Sequence, residues 1–277
     1  MTQVSSVIPL EIIPSDRAAG AEIRGMNLLE PLSPDVQEQI VQALANYGAI
    51  FFRAQSLNEE QQLTFTRAFG DSIGHPLAKV EHMSFGEGSQ PDVYYLKDEP
   101  DLTYIGKNKL KGAVMWHSDL QYMPEPQVYS VLYGIEIPSK GGDTLFSNLV
   151  AAYEALDESL KQRIEHLQCV NWILRTMPPV VHPLVRIHPV SGRKALYVSP
   201  TCSRSIVDMP PGQSKSLLRY LMRHVTLPRF VWRHVWQAGD LLMWDNRHTL
   251  HCRTAFDLCE RRMMRRTQTA GEPVIPA

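Results

Sequence analysis

The chain of 277 residues is predicted to be mainly β with flanking α-helices, its strands forming a barrel-like, mostly antiparallel sandwich. Two observations lead there. Many short runs rich in β-branched and aromatic residues are bounded by Gly, Pro, Asn or Asp, as strands are. Four further segments carry helical periodicity without alternating regularly with the strands, which disfavours a doubly wound parallel sheet.

Each element has a local reason. In SPDVQEQIVQALANYG (33–48), Ser33 is the N-cap, Pro34 takes the first helical position and Gly48 ends the helix. GAIFFRA (48–54) reads as a strand, and LNEEQQLTFTRAFG (57–70) repeats the helix design with Asn58 as cap. DVYYL (92–96), AVMWHSDLQY (113–122), YSVLYGIEI (129–137) and DTLFSNL (143–149) read as strands. NLVAAYEALDESLKQRIEHL (148–167) is one helix, or two joined near Asp157. PLVRIHP (183–189) and KALYVS (194–199) are strand-like, and PPGQSKSLLRYLMRHVT (210–226) is the fourth helical segment. FVWRHVW (230–236), DLLMWDN (240–246) and RRMMRRTQTAG (261–271) complete the strands.

Composition narrows the function. With 44% hydrophobic and 21% charged residues, no repeat and no linker-like stretch, residues 1–277 are expected to form one domain. The net charge is -1 and the densest basic run, ERRMMRR (260–266), is broken by apolar residues, so neither nucleic acid nor a membrane is an expected partner. No apolar stretch approaches the ~20 residues of a membrane helix. The opening residues lack the pattern of a signal peptide, and Cys169, Cys202, Cys252 and Cys259 form no C-x-x-C pair; the expected location is cytoplasmic.

Chemistry concentrates in two places. In AVMWHSDLQYMPEP (113–126), His117 and Asp119 lie two apart, so on a strand they share a face. Taken alone the pair is weak: with 10 histidines and 29 acidic residues, about one is expected by chance. A second segment, 239–271, adds His248 and His251 after a strand. Two imidazoles and one carboxylate leave an ion's opposite positions open, which suits ferrous iron that must bind a co-substrate and dioxygen together. A structural zinc site is closed by four protein ligands. His248 and His251 are three apart and face opposite ways on a strand, so only one can join the set. Arg262 and Arg266 share one face of the last strand, Arg261 and Arg265 the other, with one of those faces expected to be a solvated edge. A guanidinium grips a carboxylate or sulfonate through two parallel hydrogen bonds, so two such forks suggest two anionic groups held beside the metal.

FFRAQSLNEEQQLTFTRAFGD, WHSD, PSKGGDTLFSNLVAAYEAL, HPLVRIHPVSGRKALYVS, WDNRHTLH and RRMMRRT occur in one order and spacing. In these the chain resembles the TauD/TfdA family, the taurine and 2,4-dichlorophenoxyacetate dioxygenases, over nearly its whole length. The resemblance implies a double-stranded β-helix (jelly roll, cupin-like) and an enzyme that uses Fe(II), with 2-oxoglutarate and O2 as co-substrates. It implies that His117, Asp119 and His251 are the iron ligands, with His248 left to packing or to support of the site. It further implies that Arg262 and Thr144 clamp the distal carboxylate of 2-oxoglutarate, and that Arg266 and His75 hold the acidic group of the substrate. Tyr122, near Asp119 in sequence, is a candidate to line the pocket; Trp116 and Trp244 are expected core aromatics.

The implied reaction hydroxylates a small, anionic organic molecule and releases succinate and CO2. Aryloxyalkanoates, sulfonates or sulfates, and amino-acid-like metabolites are the candidate substrates. Taurine is disfavoured, because the family's Asn before the metal histidine and its Tyr after the substrate histidine are here Ala113 and Ala78. The segment 177–181 is short where many relatives carry a lid, so either the pocket is more open or another segment, such as the polar stretch 96–112, is the cover. By analogy with the family the protein is expected to be a homo-oligomer, dimer or tetramer. The alternatives are a metal- and 2-oxoglutarate-binding sensor on the same scaffold, and a zinc hydrolase, which the Arg262 and Thr144 pair disfavours.

Overall fold

The computed structural model describes residues 9–76, 86–98 and 114–277, together with the backbone of 110–111. An eight-stranded sheet runs in the order Glu11–Pro14, Ala21–Arg24, Ala49–Phe52, Leu241–Asp245, Tyr129–Glu136, Arg262–Gln268, Tyr94–Asp98, Gly86–Glu87. Its neighbours pair antiparallel except Ala21–Arg24 with Ala49–Phe52. A four-stranded sheet runs Val231–His234, Thr144–Asn148, Thr249–Arg253, Val114–His117. Three-stranded and two-stranded sheets of shorter strands complete the β-structure. The chain is mostly β, with 34% strand and 22% helix, arranged as a jelly roll.

Alternation along each strand decides what is inside. On Leu241–Asp245, Leu242 and Trp244 face inward and pack with Phe146 and Trp232 of the four-stranded sheet, so one apolar cluster joins the two sheets. Leu241 and Met243 face the other way, toward the helix Pro34–Tyr47 and the strand Ala21–Arg24. The helices Leu149–Glu154, Glu158–Ile164 and Pro211–Val225 bury their apolar residues in a separate cluster with Leu184, Leu196 and Leu250.

The helical expectations hold to within a few residues. Ser33 Oγ accepts the Val36 N–H, and Gly48 closes the helix at φ +74°, the left-handed conformation that favours glycine. Asn58 and Gln61 form a reciprocal capping box at the start of Glu59–Arg67, a cap worth about 1 kcal/mol. The segment 148–167 is two helices, with Asp157 as the cap of the second.

Three expectations need correcting. The strand through His117 stops at that residue, and Asp119 begins a turn in which Leu120 has φ +52°. His251 lies within a strand, Thr249–Arg253, instead of after one; His248 is in the preceding turn. Arg265 is not at a solvated edge: under the helix Glu59–Arg67 its Nε donates to Gln62 Oε1 (2.7 Å) and its Nη2 to the Leu57 carbonyl (2.5 Å). The strands Glu11–Pro14, Ala21–Arg24, Gln168–Asn171, Val180–Pro183 and Ser203–Ile206 were not foreseen; each has only four residues. Among the described residues, no helix is long and apolar enough to cross a membrane.

Candidate active site

One cavity of about 510 Å³ opens between the two sheets, and all eight candidate residues line it: His75, His117, Asp119, Tyr122, Thr144, His251, Arg262 and Arg266. Antiparallel pairing sets His251 directly opposite His117, bringing together residues 134 positions apart in sequence. Their rings lie 4.1 Å apart between centroids, and Phe146 and Trp244 pack against His251. The turn after His117 then swings Asp119 to the same point. His117 Nε2 is 3.8 Å and His251 Nε2 3.7 Å from Asp119 Oδ1.

Hydrogen bonds orient the donors. His117 Nδ1 sits 2.8 Å from the Met115 carbonyl, which places the proton there and leaves the Nε2 lone pair facing the cavity. Asp119 is divided in function. Its Oδ1 faces the two imidazoles, while Oδ2 accepts from Ser130 Oγ (2.7 Å) and pairs with Arg266 Nη2 (2.5 Å). Burial alone would push this carboxyl up; Arg266 and the two histidines outweigh it and hold the carboxyl well below the usual range.

Donors on adjacent corners of a coordination shell, each bonded at about 2.1 Å, lie about 3 Å apart. Each of the two imidazole–carboxylate gaps has to close by only about 0.8 Å, so the two nitrogens and one carboxylate oxygen fit a divalent ion with three protein ligands.

Arg262 shows a complementary lack. It is 3% exposed, its Nε donates to the Gly142 carbonyl (3.2 Å), and among the described residues no carboxylate pairs with it. Burial, then the neighbouring Arg253, lowers its pKa to about 10. A buried cation in this condition fits an anionic ligand entering the cavity. Gly142 is required here: at φ +69° a side chain is strained, and a Cβ would lie 3.2 Å from Arg262 Cδ and Nε. Thr144 Oγ1, two residues on at the start of its strand, accepts from Trp236 Nε1 (3.0 Å).

His75 is half-buried with its ring 5.6 Å from Tyr94. Burial and Arg266 push its pKa down to about 4, so at neutral pH it offers hydrogen bonds and no charge. Leu120 and Tyr122 face the cavity together with Asp119, because the segment is a turn and the alternation that would turn them away from Asp119 on a strand does not apply. Ile173 also lines the cavity, and Met177 and Met123 pack against the same cluster of Leu120 and Tyr122. Ala78, Ala113 and most of the expected cover (99–109 and 112) lie outside the described residues.

Sequence reasoning missed Ser130 and Asn246. Asn246 Oδ1 accepts from the Asp119 N–H and from Trp244 Nε1 (both 3.1 Å), its Nδ2 donates to Ser130 Oγ (2.9 Å), and its carbonyl accepts from Ser118 Oγ (2.8 Å). Neither residue titrates, so neither was read as chemistry. A lone serine in the apolar run YSVLY was the available signal.

A second cluster, His188, Asp245 and His248, has donors equally close together but does not suit a metal. The Ser191 N–H donates to His188 Nδ1 (3.2 Å), which puts the His188 proton on Nε2, where it bonds Asp245 Oδ2 (3.0 Å). Arg247 already grips both oxygens of Asp245 (2.9 and 2.6 Å). The cluster ties down the turn that carries Asn246. Burial pushes His188 to about 4, below its unfolded value of about 6.5, so the unfolded chain binds the extra proton. Stability should therefore fall as pH drops from about 6.5 to 4, by up to about 3 kcal/mol from this group. Denaturant titrations across that range should show the slope reduced in His188→Asn; an unchanged slope would exclude the assignment.

Comparison with known proteins follows this geometry. The model of the family described as taurine catabolism dioxygenase TauD, TfdA family matches residues 11–268. An alpha-ketoglutarate-dependent 2,4-dichlorophenoxyacetate dioxygenase from Burkholderia sp. (strain RASC) is 32% identical, over 90% of this chain and 91% of its own. An (S)-phenoxypropionate/alpha-ketoglutarate-dioxygenase from Sphingobium herbicidovorans is also 32% identical, over 95% and 96%. The crystal structure of AAD-2 in complex with Mn(II) and N-oxalylglycine superposes with a TM-score of 0.83 at 30% identity, covering 97% of this chain and 100% of that one. The two relatives named here are dioxygenases by name, so the sensor alternative has no support among them. The chain belongs to the TauD, TfdA family and is an Fe(II)-, 2-oxoglutarate- and O2-dependent dioxygenase.

Proposed function

We propose that the enzyme hydroxylates a small organic acid with an apolar body, an aryloxyalkanoate being the first candidate, followed by a sulfonate or sulfate and an amino-acid-like metabolite. One observation carries this: the His117, Asp119 and His251 donors converge in a cavity that two buried guanidinium groups, Arg262 and Arg266, also enter. Bound iron, with 2-oxoglutarate and dioxygen, supplies the oxidation and releases succinate and CO2. His117 Nε2, Asp119 Oδ1 and His251 Nε2 hold the ion, and Ser130 and Arg266 keep Asp119 Oδ2 occupied so that one oxygen ligates.

Arg262 and Thr144 take the distal carboxylate of 2-oxoglutarate. Arg266, whose buried Nε has no hydrogen-bond partner among the described residues, holds the substrate's anionic group together with His75. Tyr122, Leu120 and Ile173 pack against its apolar body, excluding water from the reacting carbon. The cavity falls within the about 300–1,000 Å³ of sites for drug-sized ligands, more than a ten-heavy-atom keto acid fills. The aryloxy acids in the names of two relatives are of this kind.

The test is succinate release from the Fe(II)-loaded protein against carboxylates, sulfonates and amino acids of matched shape. An aryloxyalkanoate should raise release above the substrate-free rate, and its amide should not. Equal stimulation by acid and amide would remove the anion requirement.

Asn246→Ala should weaken metal binding about 10- to 100-fold, the usual loss when a group orienting a ligand is removed. Metal titration of the folded variant checks this. Lower stability at unchanged metal affinity would make Asn246 structural only.

A further inference from the structure

We propose that Arg253 is a second arm of the seat for the outer carboxylate of 2-oxoglutarate, beside Arg262 and Thr144; this rests on the co-substrate reading above. On the strand Thr249–Arg253, Arg253 lies two residues beyond His251, so both side chains leave the same face. The ladder with Thr144–Asn148 sets Arg253 directly opposite Thr144. Residues so opposed have Cβ atoms about 4.5–5.5 Å apart. Arg262 arrives from the other sheet and bonds the Gly142 carbonyl, two residues before Thr144. All three side chains line the same cavity. Arg253 itself is half-buried, its guanidinium 4.8 Å from the centre of the Phe256 ring, a packing that limits its sweep.

Charge supports the same assignment. Two guanidinium groups share this end of the cavity. Asp98 lies opposite Arg262 in the ladder between their strands, while Asp143 accepts from Arg233 Nε (2.8 Å) and is committed there. Arg253 and Arg262 both bring a positive charge to this end of the cavity, toward which an entering carboxylate is drawn. A carboxylate has about four lone-pair sites and a single fork fills two, so a second guanidinium has acceptors to bind. Arg253 thereby selects for a keto acid with two carboxylates over one that lacks the outer group.

Calorimetric titration of Mn(II)-loaded protein tests this without turnover, using 2-oxoglutarate and 2-oxopentanoate, which has no outer carboxylate. Arg253→Gln should weaken 2-oxoglutarate about 10-fold or more and leave 2-oxopentanoate within about twofold of the parent. Arg253→Lys, which keeps the charge and loses the fork, should recover part of the loss and stands in if the glutamine variant does not fold. Arg262→Met is the reference for the underlying seat. If it weakens 2-oxoglutarate while Arg253→Gln does not, Arg253 has no part in the seat and the co-substrate reading survives. If neither does, both assignments fall. Equal weakening of the two keto acids by Arg253→Gln indicates structural damage and also overturns the role.

Discussion

Asp119→Ala is expected to abolish 2-oxoglutarate turnover, by about 10³-fold or more, since a bound metal contributes several kcal/mol and each 1.36 kcal/mol is a factor of ten. The effect has two parts. The variant removes one of the three donors that lie within 4.8 Å of one another, so iron should be lost on anaerobic dialysis. It also strips Arg266, 8% exposed, of its 2.5 Å partner. Removing one member of a buried pair destabilises by about 3–5 kcal/mol, so the melting temperature should fall as well. Asp119→Asn keeps the shape and the bond from Ser130 but not the charge, and should also lose iron. Iron content and succinate formation, measured on samples shown to be folded by circular dichroism, separate the two parts. An iron-loaded, active Asp119→Ala enzyme contradicts the ligand assignment.

Arg262→Met should act in the opposite way on stability. The buried guanidinium is held below its ordinary pKa, at about 10, because burial and the neighbouring Arg253 outweigh the pull of Asp98 and Asp143. An Arg with a lowered folded-state pKa destabilises the protein at neutral pH, here by up to about 3 kcal/mol, so an apolar side chain of similar length should leave the ligand-free protein as stable or more so. Function should pay for it: the 2-oxoglutarate requirement should rise about 10²-fold with iron binding nearly unchanged, as when one partner of a buried ion pair is truncated. Chemical denaturation without ligand, and binding of 2-oxoglutarate to Mn(II)-loaded protein, read the two effects. Lower stability together with unaltered 2-oxoglutarate binding contradicts both parts. Such a site is less stable empty than filled, a common trade between stability and activity.

Legibility followed the range of the interactions. The helices were readable because their causes lie within a few residues: Ser33 bonds Val36, Asn58 bonds Gln61, and Gly48 adopts the left-handed turn that stops the first helix. Strand positions were readable for the same reason, from runs such as Leu241–Asp245, but short strands with polar residues in them, such as Glu11–Pro14 and Ser203–Ile206, carried too weak a pattern. The residues at the site were readable as chemistry because imidazole, carboxylate and guanidinium groups announce themselves, and the family resemblance chose His251 over His248. The supporting groups were not. Ser130 and Asn246 act only through geometry, and Arg253 acquires meaning only once Thr144 is found opposite it.

The sequence alone determined which groups are the candidates for binding metal and anion, the mainly β class and the positions of most elements. Only the tertiary structure decided that His117 faces His251, that Asp119 turns one oxygen to the histidines and the other to Arg266, and that Arg265 is bonded under a helix while no carboxylate among the described residues lies within ion-pair distance of Arg262. The reason is physical. Strand pairing and sheet packing join residues more than a hundred positions apart, and which of them meet depends on register and on which face of the strand is inside, neither of which a local pattern encodes.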